Sequence, residues 1–386
     1  MFSMTKMYNY SRLKHFASIP NRVALAFACL FTAGWILASL PEARADIVIE
    51  DVRGRSVTVP EKTNRLLIDD GRFLIALSLI ASDPVALVAA WPHDVNRIGE
   101  AAYGAYKERF PAIATKAVVA GTVESLSIEQ VIGTEPDVAV FSTGVGPSDE
   151  QVRQIEAAGI PVVFIDFFTN PRENLDKSLL ILGKLTGNED KARDFVNFRR
   201  ERLGAITSRI ASNPGLTRPR VFFEAHAGLT ECCNSPGKGN VGDYITLVGG
   251  HNIGADVLTG AFGRLGLEYI ISARPEIYIA SGGPQNAKTG GFVIGPGFSP
   301  DESRASLARM VARPGLASLD PVLRGEVHGI AHQLLNSPLD ILVVERLARW
   351  IHPQLFADID PDKTLADINS RFLAVPLAGP SWIELK

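Results

Sequence analysis

Apolar positions along the chain fall into three textures, and their order predicts the architecture. The first is an uncharged apolar run over residues 23–40. The second is a set of short runs, at 47–49 (IVI), 57–59 (VTV), 66–68 (LLI), 85–89 (VALVA), 137–141 (DVAVF), 162–165 (VVFI), 221–223 (VFF), 277–280 (IYIA) and 326–330 (EVHGI). Runs of this length, bounded by Gly, Pro, Asp and Asn, predict strands. The third is helical spacing, over residues 71–82, 126–133, 148–158, 241–249, 266–273 and 338–373, with two further stretches after Asn170 and Pro171 separated by the TGN at 186–188. Residues 46–68 read as a hairpin feeding a first core strand, and from there strand and helix alternate. Alternation of this kind assembles into a parallel sheet covered by helices.

The second stretch after Pro171 runs from about residue 189 to 211 and, at 1.5 Å per residue, is roughly 35 Å long. A break over residues 213–219 (NPGLTRP) ends it, and the α/β pattern restarts at 221–223. The predicted fold class is therefore α/β, with two Rossmann-like lobes, each built on a parallel central sheet, joined by a single long interdomain helix. The lobes are expected at 46–170 and 214–386, with connecting helices at 171–213.

The basic residues Lys6, Arg12, Lys14 and Arg22 precede the apolar run, and Ala43 and Ala45 follow it. That order predicts a secretion signal over residues 1–45, cleaved after Ala45, and so a periplasmic product. The competing reading is a permanent anchor, because eighteen apolar residues nearly span a bilayer. Cys29 lies inside the apolar run after Ala-Phe-Ala and makes a poor lipidation site. Cleavage removes five basic residues and one acid, leaving 34 basic against 41 acidic and a net charge of -7. Such a surface carries no concentrated positive patch for nucleic acid or anionic lipid.

Several ordered fragments carry a resemblance to a known family. They are DVRGRSVTVP at 51–60, SIE at 127–129 leading to EPDV at 135–138, AGIPVV at 158–163, LE at 267–268 leading to RPEI at 274–277, and WIHPQLF at 350–356. Together they resemble the periplasmic substrate-binding proteins of ABC importers for ferric siderophores, haem and cobalamin, the class whose two lobes are linked by a helix. The resemblance implies a shallow cleft between lobes, limited hinge motion, and a monomer that captures an iron chelate, a ferric siderophore first, and delivers it to an inner-membrane permease. A haem or corrinoid is the alternative cargo. No cofactor of its own is implied, since iron arrives as part of the chelate, and no catalytic triad, G-x-S-x-G elbow or H-E-x-x-H is present. The resemblance further implies one acidic permease contact per lobe, which falls on Asp149 or Glu150 and on Glu268. Carboxylates at helix starts are also stabilised by the helix dipole alone.

In α/β lobes the ligand crevice lies beyond the carboxyl ends of the strands. This selects Trp91, His93, Tyr103, Tyr106 and Arg109, whose aromatic faces and guanidinium suit a flat anionic chelate. The spacing of Tyr103, Tyr106 and Phe110 equally suits the apolar face of a lid helix. The loop at 121–125 (GTVES) lacks the arginine that hydroxamate binders of this class often carry, and Phe168 follows the strand at 162–165. His226 follows the strand at 221–223, and His332 follows that at 326–330; each is a conceivable haem ligand or a hydrogen-bonded structural residue. Pairing of His328 with His332 on a metal is disfavoured, because their stretch reads as a strand leaving into a loop. Cys232 and Cys233 are adjacent in an oxidising compartment. They read as a vicinal disulfide, as free thiols, or, with His226, as a soft-metal site, and a periplasmic redox or metal-release role for the pair is a second function class. Turn formers around Asn234 predict a kink that aims Asn234 and Lys238 at the cleft. The Gly-rich segment 282–297 reads as a cleft loop without a nucleotide-binding pattern.

Overall fold

A strand that is apolar at every position needs cover on both faces, and the two sheets of this protein are arranged to supply it. The computed structural model describes residues 45–92, 98–119, 126–143, 146–229 and 232–385. The expected signal segment therefore lies outside the described residues, apart from Ala45. A hairpin of β1 (Asp46–Glu50) and β2 (Ser56–Pro60) leads in. The first sheet holds β3 (Leu66–Ile68), β4 (Val88–Trp91), β5 (Ala117–Val118), β6 (Val138–Ser142) and β7 (Val162–Ile165), all parallel, in the order β5-β4-β3-β6-β7. The core strands β3, β6 and β7 are buried at every position.

The second sheet begins at β8 (Arg220–Glu224). A small antiparallel pair, β9 (Asn234–Pro236) with β11 (Phe262–Arg264), flanks β10 (His251–Asn252) in the chain. Then come β12 (Ile277–Gly282), β13 (Val327–Ala331) and β14 (Trp382–Leu385), giving the order β10-β8-β12-β13-β14. Only β14 runs antiparallel to its neighbour in this sheet. The α/β class and the parallel central sheets match the expectation from pattern.

Residues 46–386 form one compact unit. The helices Pro171–Thr186 and Glu189–Ala211 connect the two sheets, and the second buries Phe195, Phe198, Arg199 and Ile206. Arg199 is 3 % exposed and bridges three elements. Its Nε and Nη2 donate to Asp340 (2.8 and 2.6 Å), at the start of the helix Asp340–Ile351, and its Nη1 donates to Asp176 (3.0 Å). Tyr244 donates to the same Asp340 carboxylate at 2.6 Å. A second tie lies beyond the long helix: the backbone of Ala374 and Val375 donates to the carbonyl and hydroxyl of Ser78, on the helix Phe73–Ile80.

Three local expectations are corrected. The strand placed at 85–89 starts at Val88, because Asp83 accepts the amide of Ala86 and holds the residues after Pro84 in a turn. Asn234–Pro236 is extended rather than a kink, since β11 offers it a ladder partner. The helical region 338–373 is two helices, Asp340–Ile351 and Pro361–Arg371, the second capped by the Asp360 carboxylate.

Candidate functional site

In each sheet the strand order reverses once, between β3 and β6 in the first and between β8 and β12 in the second. The carboxyl ends of strands at such a reversal leave a crevice unfilled by the connections, which depart to opposite sides. A cavity of about 280 Å³ occupies this position. Arg72 reaches it from the loop after β3 and Phe168 from the loop after β7. From the second sheet come His226 after β8, Gly282 to Gln285 at the end of β12, and His332, Gln333 and Asn336 after β13.

Arg72 is placed by Asp70, whose buried carboxylate accepts its Nε at 2.8 Å and its Nη2, while the Arg72 amide closes a turn on the same carboxylate at 2.8 Å. Phe168 stacks on Phe262 of β11 with ring centroids 5.7 Å apart, which braces the Phe168 ring where it lines the cavity. His226 and His332 lie ring to ring, 3.5 Å between centroids. Ser281 joins them, accepting the His226 backbone N–H at 3.1 Å and meeting His332 Nδ1 at 2.9 Å.

Burial pushes His226 down to about 4, helped by the Arg72 charge, and also holds His332 well below the ordinary histidine value, so both rings are neutral at pH 7. Burial also pushes His328 down to about 4. His328 stands apart from the cavity, stacked on Trp350 at 4.5 Å, so it does not pair with His332. The unfolded chain, with histidine near 6.5, then binds more protons than the folded chain between pH 6.5 and about 4. Stability should be level above pH 6.5 and fall on acidification through about 4, by up to roughly 3 kcal/mol per histidine. Urea unfolding across this range checks it, and a flat profile would contradict it.

The cavity brings together Phe168, His226 and His332 of the residues expected from sequence. Trp91 is 1 % exposed and stacks on Tyr103 at 6.1 Å, so the indole belongs to the core. Tyr106 is buried too, donating to the Leu74 carbonyl at 3.2 Å, with burial raising its pKa. It lines a separate apolar pocket of about 90 Å³, between the helix Glu100–Arg109 and residues 373–378. Arg109 is exposed and lies over Phe110. None of these four lines the cavity. His93 and the loop 121–125 lie outside the described residues.

Cys232 and Cys233 are joined to each other as a disulfide, beside Glu224 and away from the cavity lining. Asn234 pairs in the β9 ladder and Lys238 is exposed, with its amide donating to Gly260, so neither reaches the cavity. Asp149 and Glu150 are exposed in the first turn of the helix Asp149–Ala157, beside Arg53 and Arg153 respectively. Glu268 is exposed in the first turn of the helix Leu267–Ala273. Gln285 falls in the segment 282–297 read as a cleft loop, whereas sequence reasoning singled out none of Arg72, Gln333 and Asn336. The strand-end rule would have found Arg72 had it been applied to the three-residue run at 66–68.

Comparison with known proteins agrees with this architecture. A family model described as periplasmic binding protein matches residues 77–327. The cobalamin-binding protein of Halobacterium salinarum is 26% identical over 332 residues, covering 85% of this chain and 81% of its own. The molybdate-binding protein MolA of Haemophilus influenzae is 24% identical over 379 residues, covering 90% and 95%. Among solved structures, the TroA-like periplasmic binding protein FepB from Veillonella parvula aligns with a TM-score of 0.79 at 24% identity, over 88% of this chain and 100% of that one.

Proposed function

The chain belongs to the periplasmic binding protein family, whose members are binding proteins rather than enzymes and deliver ligands to ABC transporter permeases, and from that premise we propose that it captures an iron chelate, a ferric siderophore first, for import. The observation that carries this reading is the convergence of Arg72, Phe168 and His226 on one cavity at the strand ends of both sheets. A guanidinium pairs with chelate carboxylate or phenolate oxygens, and an aromatic wall packs against the ligand's flat faces. The product acts in the periplasm after cleavage behind Ala45. A corrinoid is the second reading, favoured by the cobalamin-binding relative. The disulfide lies off the cavity, which argues against a redox role for Cys232 and Cys233 in handling the cargo.

Docking onto the permease falls to Glu268 on one side and Asp149 with Glu150 on the other, all exposed at helix starts. In a strain lacking the gene, a copy carrying Glu268→Lys, Asp149→Lys and Glu150→Lys should fail to restore iron-chelate uptake. Its dissociation constant should stay within about twofold of the parent, under about 0.5 kcal/mol. Full uptake by this variant would remove the docking assignment. Uptake that does not depend on the gene at all would remove the import reading.

A further inference from the structure

The polar lining of the cavity is a chain of hydrogen bonds with a definite direction. Arg72 can only donate. Its Nη1 reaches the Asn336 amide oxygen, in the amide orientation that satisfies both polar atoms of Asn336. The same oxygen accepts from His332 Nε2 at 3.1 Å, so that nitrogen carries the proton. A neutral imidazole holds one ring proton, which makes His332 Nδ1 an acceptor for the Ser281 hydroxyl. Both nitrogens of His332 are thus engaged within the protein, and neither is open to a cargo.

His226 is different. Its Nδ1 faces the Gln285 side-chain nitrogen at 3.2 Å. An amide NH₂ only donates, so Nδ1 accepts and the ring proton sits on Nε2. Turning the amide over would place its NH₂ where Gln285 Oε1 now lies, buried and without a partner among the described residues. Orphaned buried N–H groups are rarer than under-satisfied carbonyls, which favours the orientation seen. His226 Nε2 makes no hydrogen bond among the described residues, while the residue lines the cavity. The residue is also held at φ +51°, a conformation that non-glycine residues seldom adopt and that is retained at sites where a side chain must be aimed.

We infer that His226 meets the cargo as an N–H donor to one of its anionic oxygens, beside the Arg72 guanidinium, rather than as a ligand to its metal. Gln285 is the positioning residue that fixes this tautomer. The inference rests on the reading that the cargo is an oxygen-rich chelate, and it names the part of the cargo that is read: the outer oxygens rather than the iron.

Nitrogen-15 spectra of histidine-labelled full-length protein at neutral pH test the tautomer before any cargo is added, so this result stands apart from whether a chelate is imported. His226 should show a protonated Nε2 and a bare Nδ1, and Gln285→Glu, whose carboxylate can only accept, should move a proton onto Nδ1. Inorganic sulfate, used as the oxyanion probe, should shift the Nε2–H resonance. His226→Gln, which keeps an N–H near the same place, should hold most of the sulfate affinity, and His226→Ala should lose about tenfold, the worth of one charge-assisted hydrogen bond. Zinc nitrilotriacetate, a diamagnetic chelate with open coordination positions, should leave the His226 Nε2 proton in place, since a nitrogen that coordinates the metal has to give that proton up. A bare Nε2 in the ligand-free protein, no response to sulfate, or loss of the His226 Nε2 proton on adding the zinc chelate would overturn the proposal.

Discussion

Replacing Arg72 with methionine is expected to weaken binding of the imported chelate by about a hundredfold, because hydrogen bonds to charged groups contribute about 1.5–3 kcal/mol. Arg72 supplies a guanidinium to the cavity, held in place by Asp70 and aimed past Asn336. Methionine keeps much of the side-chain volume and removes the charge, so packing around Phe168 should survive. The single change also strips a guanidinium from Asp70, which is 3 % exposed, and should destabilise the fold by about 3 kcal/mol. The double variant Arg72→Met with Asp70→Asn separates the two effects. It should recover most of the stability and none of the affinity, as read by urea unfolding and isothermal titration. Recovery of affinity in the double variant would show that Arg72 acts on the fold alone.

Asp340→Ala should be the most destabilising single substitution of a charged residue on the connecting helices and their partners, costing about 3–5 kcal/mol. The cost arises on the partner rather than at the site of change. Arg199 would keep its charge at 3 % exposure with its two-bond carboxylate removed, and Tyr244 would lose the acceptor of its hydroxyl. Asp340 holds Arg199 well above the ordinary arginine range against the opposing effect of burial. Asp176→Ala makes the control, because Asp176 is more exposed, and Arg199 keeps Asp340 when it is gone. Its cost should be about 1 kcal/mol. Equal costs for the two variants in chemical denaturation would mean that the buried pair is no anchor between the sheets.

The features that were legible from sequence are those with a period or a boundary. Uninterrupted apolar runs at 138–141 and 162–165, too short for helices and rich in β-branched residues, read as buried parallel strands, and the break after Ala211 marked the end of the long helix. The strand-end rule found Phe168, His226 and His332 for the same reason: each follows a run that was easy to see. Arg72 lies four residues beyond the run at 66–68, which reads as a strand, but the exit loop at 69–72 (DDGR) holds no aromatic or histidine that would draw attention to it. Gln285, Gln333 and Asn336 are amides with no spacing signature, and only folding shows which of them line a cavity. Trp91 and Tyr106 misled because an aromatic residue near a strand end serves a core as readily as a cleft. The capping box at Ser299 and Glu302 was readable and would have announced the helix Pro300–Val311, which the pattern of apolar positions alone did not reveal. Asn234 to Pro236 shows the converse, turn-forming residues drawn into a strand by a ladder partner distant in sequence.

Capture of an iron chelate in the cavity at the strand ends can be read from native mass spectrometry of the protein purified from its own periplasm under iron limitation. The purified chain should begin at Asp46 and carry one chelate with the isotope pattern of iron, and the bound form should be absent from the Arg72→Met protein. A bound species without a metal, or chelate retained in full by the Arg72→Met protein, would contradict it.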